Sequence, residues 1–95
     1  MNLLFHVTTA ASGSFLKPLA LAARRANASF AAFFTHEGVM TLKDADLLAA
    51  LADSRAVVCE ESWHRFCPGL DCPVENGSQT INSALMSEAE KVISL

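Results

Sequence analysis

Short apolar segments alternate with helix-forming segments along this 95-residue sequence. The apolar segments lie at residues 3–9, 29–35 and 56–59, and they read as nearly continuous apolar runs rather than as alternations of apolar and polar side chains. Continuous apolar strands are typical of a parallel sheet that is covered on both faces, because neither side of such a strand meets water. The pattern therefore predicts an α/β fold with helices packed on both faces of a mainly parallel sheet.

Two helices are predicted between these strands. Residues 15–26 are rich in helix formers, with Pro18 in the first turn and with Ser12 or Ser14 as the capping residue. Residues 44–54 place two aspartates near the positive end of a second helix and three leucines on one face.

The C-terminal third predicts one further βαβ unit. Residues 78–81 are predicted as a fourth strand, residues 82–90 as a helix capped by Asn82, and residues 91–95 as a closing strand. The whole layout is βαβαβ, a loop, and βαβ, with residues 1–95 forming a single domain.

Composition limits the classes of function. Net charge is −3, which argues against a nucleic-acid-binding protein because such proteins need a basic surface for phosphates. No run of eighteen apolar residues and no charged segment before the first apolar run is present, so we expect a cytoplasmic protein with no membrane segment. The apolar fraction of 52% with only 18% charged residues predicts an oligomer, because a chain this short builds a small core.

The chemistry-bearing residues are concentrated in "VVCEESWHRFCPGLDCPVENG", residues 57–77, which hold all three cysteines and the only Trp. Cys59 falls at the carboxyl end of the third strand, where open α/β sheets bind their ligands. A following helix would stabilise its thiolate, the two glutamates at positions 60 and 61 would raise its pKa, and His64 and Arg65 could offset them. Packing as a buried thiol is the alternative.

The other two cysteines suggest structure rather than catalysis. Cys59, His64, Cys67 and Cys72 have the ligand types of a zinc site, but their spacing lacks the tight paired ligands of such sites, so no metal and no cofactor is expected. A disulfide between Cys67 and Cys72 would be transient in a reducing cytoplasm. We expect these two residues to serve packing and loop structure.

Three blocks, in order, resemble one family. "FFTHEGV" (33–39) resembles a segment that ends the second strand, "AVVCEESWHR" (56–65) an apolar strand that ends in Cys, and "GSQTINSALMSEAEKVISL" (77–95) a closing glycine, helix and strand. Together they are similar to the DsrE/DsrF/DsrH and TusD/TusC/TusB sulfur-relay family.

The resemblance implies a DsrE-like fold, which is a small three-layer α/β fold with a five-stranded, mainly parallel sheet. It also implies a homotrimer or homohexamer, or a hetero-oligomer with related subunits. The position that matches the family's sulfur-carrying Cys is Cys59, which would hold sulfane sulfur as a persulfide and exchange it with a small TusA-like carrier protein.

The sequence departs from this family pattern around the thiol. "EESW" follows Cys59 where small apolar residues are usual, and "CPGLDC" forms an unusual loop. Some subunits of the family lack a working Cys. The alternative function is therefore a non-catalytic DsrE-like subunit that binds a small ligand, a metal or a partner protein.

Overall fold

The computed structural model describes all residues from 1 to 95. Its five strands are β1 (Leu3–Val7), β2 (Phe30–Phe34), β3 (Arg55–Cys59), β4 (Glu75–Gly77) and β5 (Lys91–Ser94). Its four α-helices are α1 (Gly13–Arg25), α2 (Ala45–Ala50), α3 (Glu60–Phe66) and α4 (Gln79–Glu88). Two 3-10 segments, Ala10–Ser12 and His36–Lys43, follow β1 and β2.

The strands form one sheet in the order β4-β3-β2-β1-β5, and every neighbouring pair is parallel. The central strand β2 is buried along its whole length, as its continuous apolar run predicts. The predicted α/β fold, with five strands and helices on both faces, is confirmed.

The direction of the chain through the sheet decides which helix covers which face. From β1 to β4 each strand is added on the same side, whereas the last connection returns across the sheet to the far side of β1. Parallel crossovers are almost always right-handed, so a return in the opposite direction must use the opposite face. Helices α1, α2 and α3 therefore share one face and α4 lies on the other.

The two faces differ strongly in how well they are covered. The face under α1, α2 and α3 contains a cluster of 16 buried residues, which includes Leu16, Leu47 and Trp63 from those helices. The face under α4 contains only 6, and Leu85 is the one member that α4 contributes. Val92 of β5 remains 39% exposed, so one helix of ten residues leaves part of this face uncovered.

The prediction of a fourth strand at residues 78–81 was wrong. The strand comes earlier, at Glu75–Gly77, and residues 79–81 already belong to α4. Ser78 is the N-cap, and Ile81 and Leu85 pack against the α4 face of the sheet one helical turn apart. This spacing of apolar residues is helical, and it outweighs the β-propensity of the isolated Ile81.

The predicted cap at Asn82 was also wrong, because Asn82 lies inside α4 and is buried there, with its amide donating to Gln79 Oε1 at 3.2 Å. The helices predicted at residues 15–26 and 44–54 exist, but α1 begins earlier and α2 is shorter. Asp44 caps α2, with its side chain accepting from the backbone N–H of Asp46 at 2.9 Å. Ser12 stands at the N-cap of α1 without a capping hydrogen bond from its side chain.

No helix of the fold is both long enough and apolar enough to cross a membrane.

Gly38 fixes how the segment after β2 lies on the sheet. A Cβ atom at this position would overlap the carbonyl oxygen of Val7 and lie 2.6 Å from the carbonyl carbon. The obstacle is backbone at the end of β1, which cannot move aside without distorting the sheet. The 3-10 segment His36–Lys43 therefore needs glycine here to pass directly over the carboxyl edge.

We expect Gly38→Ala to lower the free energy of unfolding by about 1–3 kcal/mol, the usual range for overpacking a filled site. Gly13→Ala is the matched control, because its Cβ would meet Thr41 at an ordinary 3.6 Å within a helix. That substitution should leave stability unchanged or raise it by up to about 1 kcal/mol. Urea denaturation of both variants measures the difference, and equal stabilities would contradict this account of Gly38.

Candidate functional site

Cys59 lies at the one place in the sheet where the chain leaves neighbouring strands toward opposite faces. The connection after β3 enters α3, which packs in the larger cluster through Trp63. The connection after β4 enters α4, which packs on the opposite face. Such a divergence opens a crevice at the carboxyl ends of the two strands, and ligands of open α/β sheets bind there.

Cys59 and Gly77 are register partners at the carboxyl ends of β3 and β4. A Cβ at Gly77 would lie 2.5 Å from Val57 Cγ1 and 3.1 Å from Ile81 Cδ1. The missing side chain lets α4 approach the sheet closely, which brings the start of α4 next to the thiol.

A cavity of about 650 Å³ occupies this crevice. Cys59, Gly77 and Gln79 line it, together with residues of α3 and of the loop that follows α3. Trp63 Nε1 donates to the backbone oxygen of Leu70 at 3.0 Å, which ties that loop to α3. The cavity volume lies within the usual range for small-molecule sites.

The Cys59 side chain is 7% exposed and lies at the start of α3. Burial raises the pKa of its thiol, but hydrogen bonds from the Ser62 hydroxyl, the Ser62 backbone N–H, the Thr35 hydroxyl and the Glu61 backbone N–H lower it. The net result is a pKa below the ordinary thiol value. Donors that favour the charged form therefore outweigh desolvation at this site.

Two hydroxyl groups from different elements converge on the thiol. Ser62 Oγ accepts the backbone N–H of His36 at 2.9 Å and lies 3.4 Å from Thr35 Oγ1. Ser62 Oγ accepts the N–H of His36, so its own proton can be donated either to Thr35 Oγ1 or to the sulfur. His36 has a φ of 51°, a left-handed conformation that turns its N–H toward Ser62.

The expected electrostatic balance at Cys59 was wrong in its participants. Glu60 and Glu61 are exposed, and neither carboxylate is among the groups that shift the pKa of the thiol. The same holds for His64 and Arg65. The groups that act are two hydroxyls and two backbone N–H groups, and Thr35 is 24 residues away in sequence, so no local pattern indicated it.

The other two cysteines lie apart from this hydrogen-bond network. Cys67 is 2% exposed and belongs to the larger core cluster. Cys72 Sγ donates to the backbone oxygen of Val74 at 3.3 Å, and all three thiols are free. Cys59 and Cys67 stand at opposite ends of α3, about 12 Å apart by helical rise, which is too far for a disulfide. Cys67 also lines the 650 Å³ cavity at Cys59, so the packing and loop role of Cys67 and Cys72 stays a prediction.

No group of three or more His, Cys, Asp or Glu side chains comes close enough to hold a metal ion. The four residues with zinc-ligand chemistry in segment 57–77 are therefore not assembled into one site.

A second, smaller cavity of about 190 Å³ reaches Cys59 from the side of β2. His36 and Arg65 line it together with the two hydroxyl-bearing residues. Nearby, the His6 ring stacks on Phe33 with centroids 6.0 Å apart, and burial together with the charge of His36 lowers the pKa of His6. The thiol thus lies between two openings of different size.

No family model matches this sequence, and no curated protein matches it. The resemblance to the sulfur-relay family stays an interpretation of the three sequence blocks.

We predict that the alkylation rate of Cys59 rises with pH through a midpoint below that of an unstructured cysteine, about 8.5. Ser62→Ala and Thr35→Val should each move the midpoint upward, because each removes a donor to the thiolate. The measurement is the pH dependence of iodoacetamide labelling, mapped to Cys59 by mass spectrometry. Ser87→Ala is the control, since Ser87 Oγ donates within α4 to the Ala84 oxygen at 2.8 Å.

The same shift has a consequence for stability. A thiol whose pKa is lower in the folded state stabilises the fold as thiolate, fully above the unfolded pKa and not at all below the folded one. The stability advantage of the native chain over Cys59→Ala should therefore grow as pH rises toward about 8.5. Urea denaturation of both chains at several pH values measures this difference.

In the labelling experiment, a midpoint for Cys59 at or above that of a cysteine in a free peptide would contradict the lowered pKa of the thiol.

Proposed function

We propose that this protein is a sulfur-relay protein that accepts sulfane sulfur on Cys59 as a persulfide and passes it on. The observation that carries the proposal is the placement of one thiol of lowered pKa at the base of the crevice between β3 and β4. Perturbed thiols in such clefts are candidates for nucleophiles. Cys67 is packed in the larger core cluster, and Cys72 Sγ donates to the backbone oxygen of Val74.

The transfer step needs no oxidant or reductant. The Cys59 thiolate attacks the outer sulfur of a donor persulfide, the sulfur–sulfur bond of the donor breaks, and the donor leaves as a thiolate. The outer sulfur remains on Cys59 as a persulfide with the proton it carried. The same exchange with an acceptor thiolate reverses the step and releases the sulfur.

The proposal also covers the family of the protein, its location in the cell and its partner protein. The three sequence blocks support a DsrE-like subunit in the cytoplasm that exchanges sulfur with a small TusA-like carrier protein. The hydroxyls of Thr35 and Ser62 would stabilise the Cys59 thiolate in both steps. Cys59 is the nucleophile when it takes up sulfur and the leaving group when it passes sulfur on.

A non-catalytic DsrE-like subunit is the second candidate. The observation that favours it is the low exposure of Cys59, since a buried thiol can serve packing alone. The 650 Å³ cavity would then hold a small ligand or part of a partner protein without covalent chemistry.

Incubation with a sulfane donor should add one sulfur mass to Cys59. Cys59→Ser should abolish the adduct, because a serine hydroxyl is not ionised at neutral pH. Cys67→Ser and Cys72→Ser should keep most of it, because neither residue lies in the hydrogen-bond network of the site. Peptide mapping by mass spectrometry measures the position. Sulfur on Cys67 or Cys72 instead would refute the site, and no uptake from any donor would favour the non-catalytic subunit.

We also propose assembly into a trimer or hexamer, of identical or related subunits. Several large apolar side chains support it by their exposure; they are Phe15, Leu19, Leu21, Met40, Leu70, Met86 and Val92. Covering such residues is the usual reason for a small chain to associate. Analytical ultracentrifugation of the purified chain should give the mass of three or six subunits, and a stable monomer at micromolar concentration would contradict this prediction.

A further inference from the structure

We propose that the cavity at Cys59 selects positively charged reaction partners, so that sulfur is exchanged with a protein whose own thiol is surrounded by Lys or Arg side chains. That the transferred group is sulfane sulfur rests on the proposed function. The charge selectivity does not, because it follows from the lining of the cavity.

The charged lining of the larger cavity is predominantly acidic. Glu60 and Glu61 line it together with His64, and no Lys or Arg does. Both glutamates are exposed, and neither takes part in any of the salt bridges of the fold, which use other carboxylates. Their charges are therefore not neutralised within the chain. A partner that approaches Cys59 through this opening meets two carboxylates that no salt bridge neutralises.

The rim of the same cavity has the composition of a protein contact. Leu70 is 52% exposed, although its backbone is held by the hydrogen bond from Trp63. Asp71 follows it, exposed and also outside every salt bridge. An exposed apolar side chain on a cavity lined by unpaired carboxylates is complementary to a basic protein surface with an apolar centre. A small anionic donor would gain nothing from Leu70 and would be repelled by the carboxylates.

Arg65 is the only Lys or Arg that lines either cavity at Cys59, and it lines the smaller one. Its guanidinium lies 5.4 Å from the centroid of the Phe66 ring. Glu61 lines both cavities, so the smaller one combines one carboxylate with Arg65, whereas the larger one has two carboxylates and no Lys or Arg. The two openings differ in charge as well as in size.

The test uses two thiol reagents of similar size and opposite charge on the intact chain. A methanethiosulfonate with a trimethylammonium group and one with a sulfonate group are reacted separately, and labelling of Cys59 is quantified by mass spectrometry. Dividing the ratio of their rates by the ratio for free 2-mercaptoethanol removes intrinsic reactivity. We expect a normalised preference for the cation on the order of tenfold at low ionic strength, falling to about threefold at 0.15 M salt.

The double variant Glu60→Gln, Glu61→Gln should remove most of this preference while keeping the size of both side chains. Glu88→Gln is the control, because it removes a carboxylate from the C-terminal end of α4, the end of that helix far from the cavity. The control should keep the native ratio. An equal ratio in the native chain and the double variant, or no preference in the native chain, would overturn the proposal.

Persulfide-bearing peptides extend the test to the sulfur itself. A peptide with Lys residues beside its persulfide should load Cys59 faster than one with Glu residues, and the double variant should lose the difference. Equal loading by both peptides would overturn the proposal and leave the sulfur relay standing. Cation-selective labelling without any sulfur uptake would support the charge selectivity and reject the sulfur relay.

Discussion

The handedness of parallel crossovers is the constraint on which the rest of this structure depends. Strands β1 to β4 are added one after another toward the same edge of the sheet, with the helices between them on one face. The chain must then cross the whole sheet to place β5 beside β1. A right-handed return uses the other face, so α4 separates from α3 at the ends of β3 and β4. The crevice that holds Cys59 is a consequence of this topology and requires no special loop.

The thiol chemistry depends on groups that the topology brings to the same edge. Thr35 follows β2, and Ser62 belongs to α3, yet both lie beside Cys59 at the end of β3 and lower the pKa of its thiol. Gly38 allows the segment after β2 to pass close over the end of β1, and the left-handed His36 turns its N–H to Ser62. Backbone packing and side-chain donors thus act on one atom, and together they outweigh the desolvation that burial imposes.

Much of the fold follows from local pattern, because strands that are buried on both sides need continuous apolar runs. The first three strands were predictable for this reason, whereas the closing strand β5 was also predicted although most of its residues are exposed. The fourth strand was not, since Glu75–Gly77 is a short edge strand with almost no apolar content, and Ile81 imitates a strand residue. The position of Cys59 at a strand end was predictable, whereas its donors were not, because a hydrogen bond between distant elements leaves no local pattern.

By itself, the sequence determined the class of fold, the order of its first three strands and of the two helices between them, and the placement of one cysteine at the carboxyl end of β3. The layout had a loop after β3, where the structure has helix α3. The tertiary structure alone decided that Cys59 and Cys67 line one cavity, and that the hydroxyls of Thr35 and Ser62 lower the pKa of the Cys59 thiol. The physical reason is the distance along the sequence over which each effect acts. Periodicity and propensity act over a few neighbouring residues, whereas the environment of a side chain is made by residues that only the folded sheet brings together.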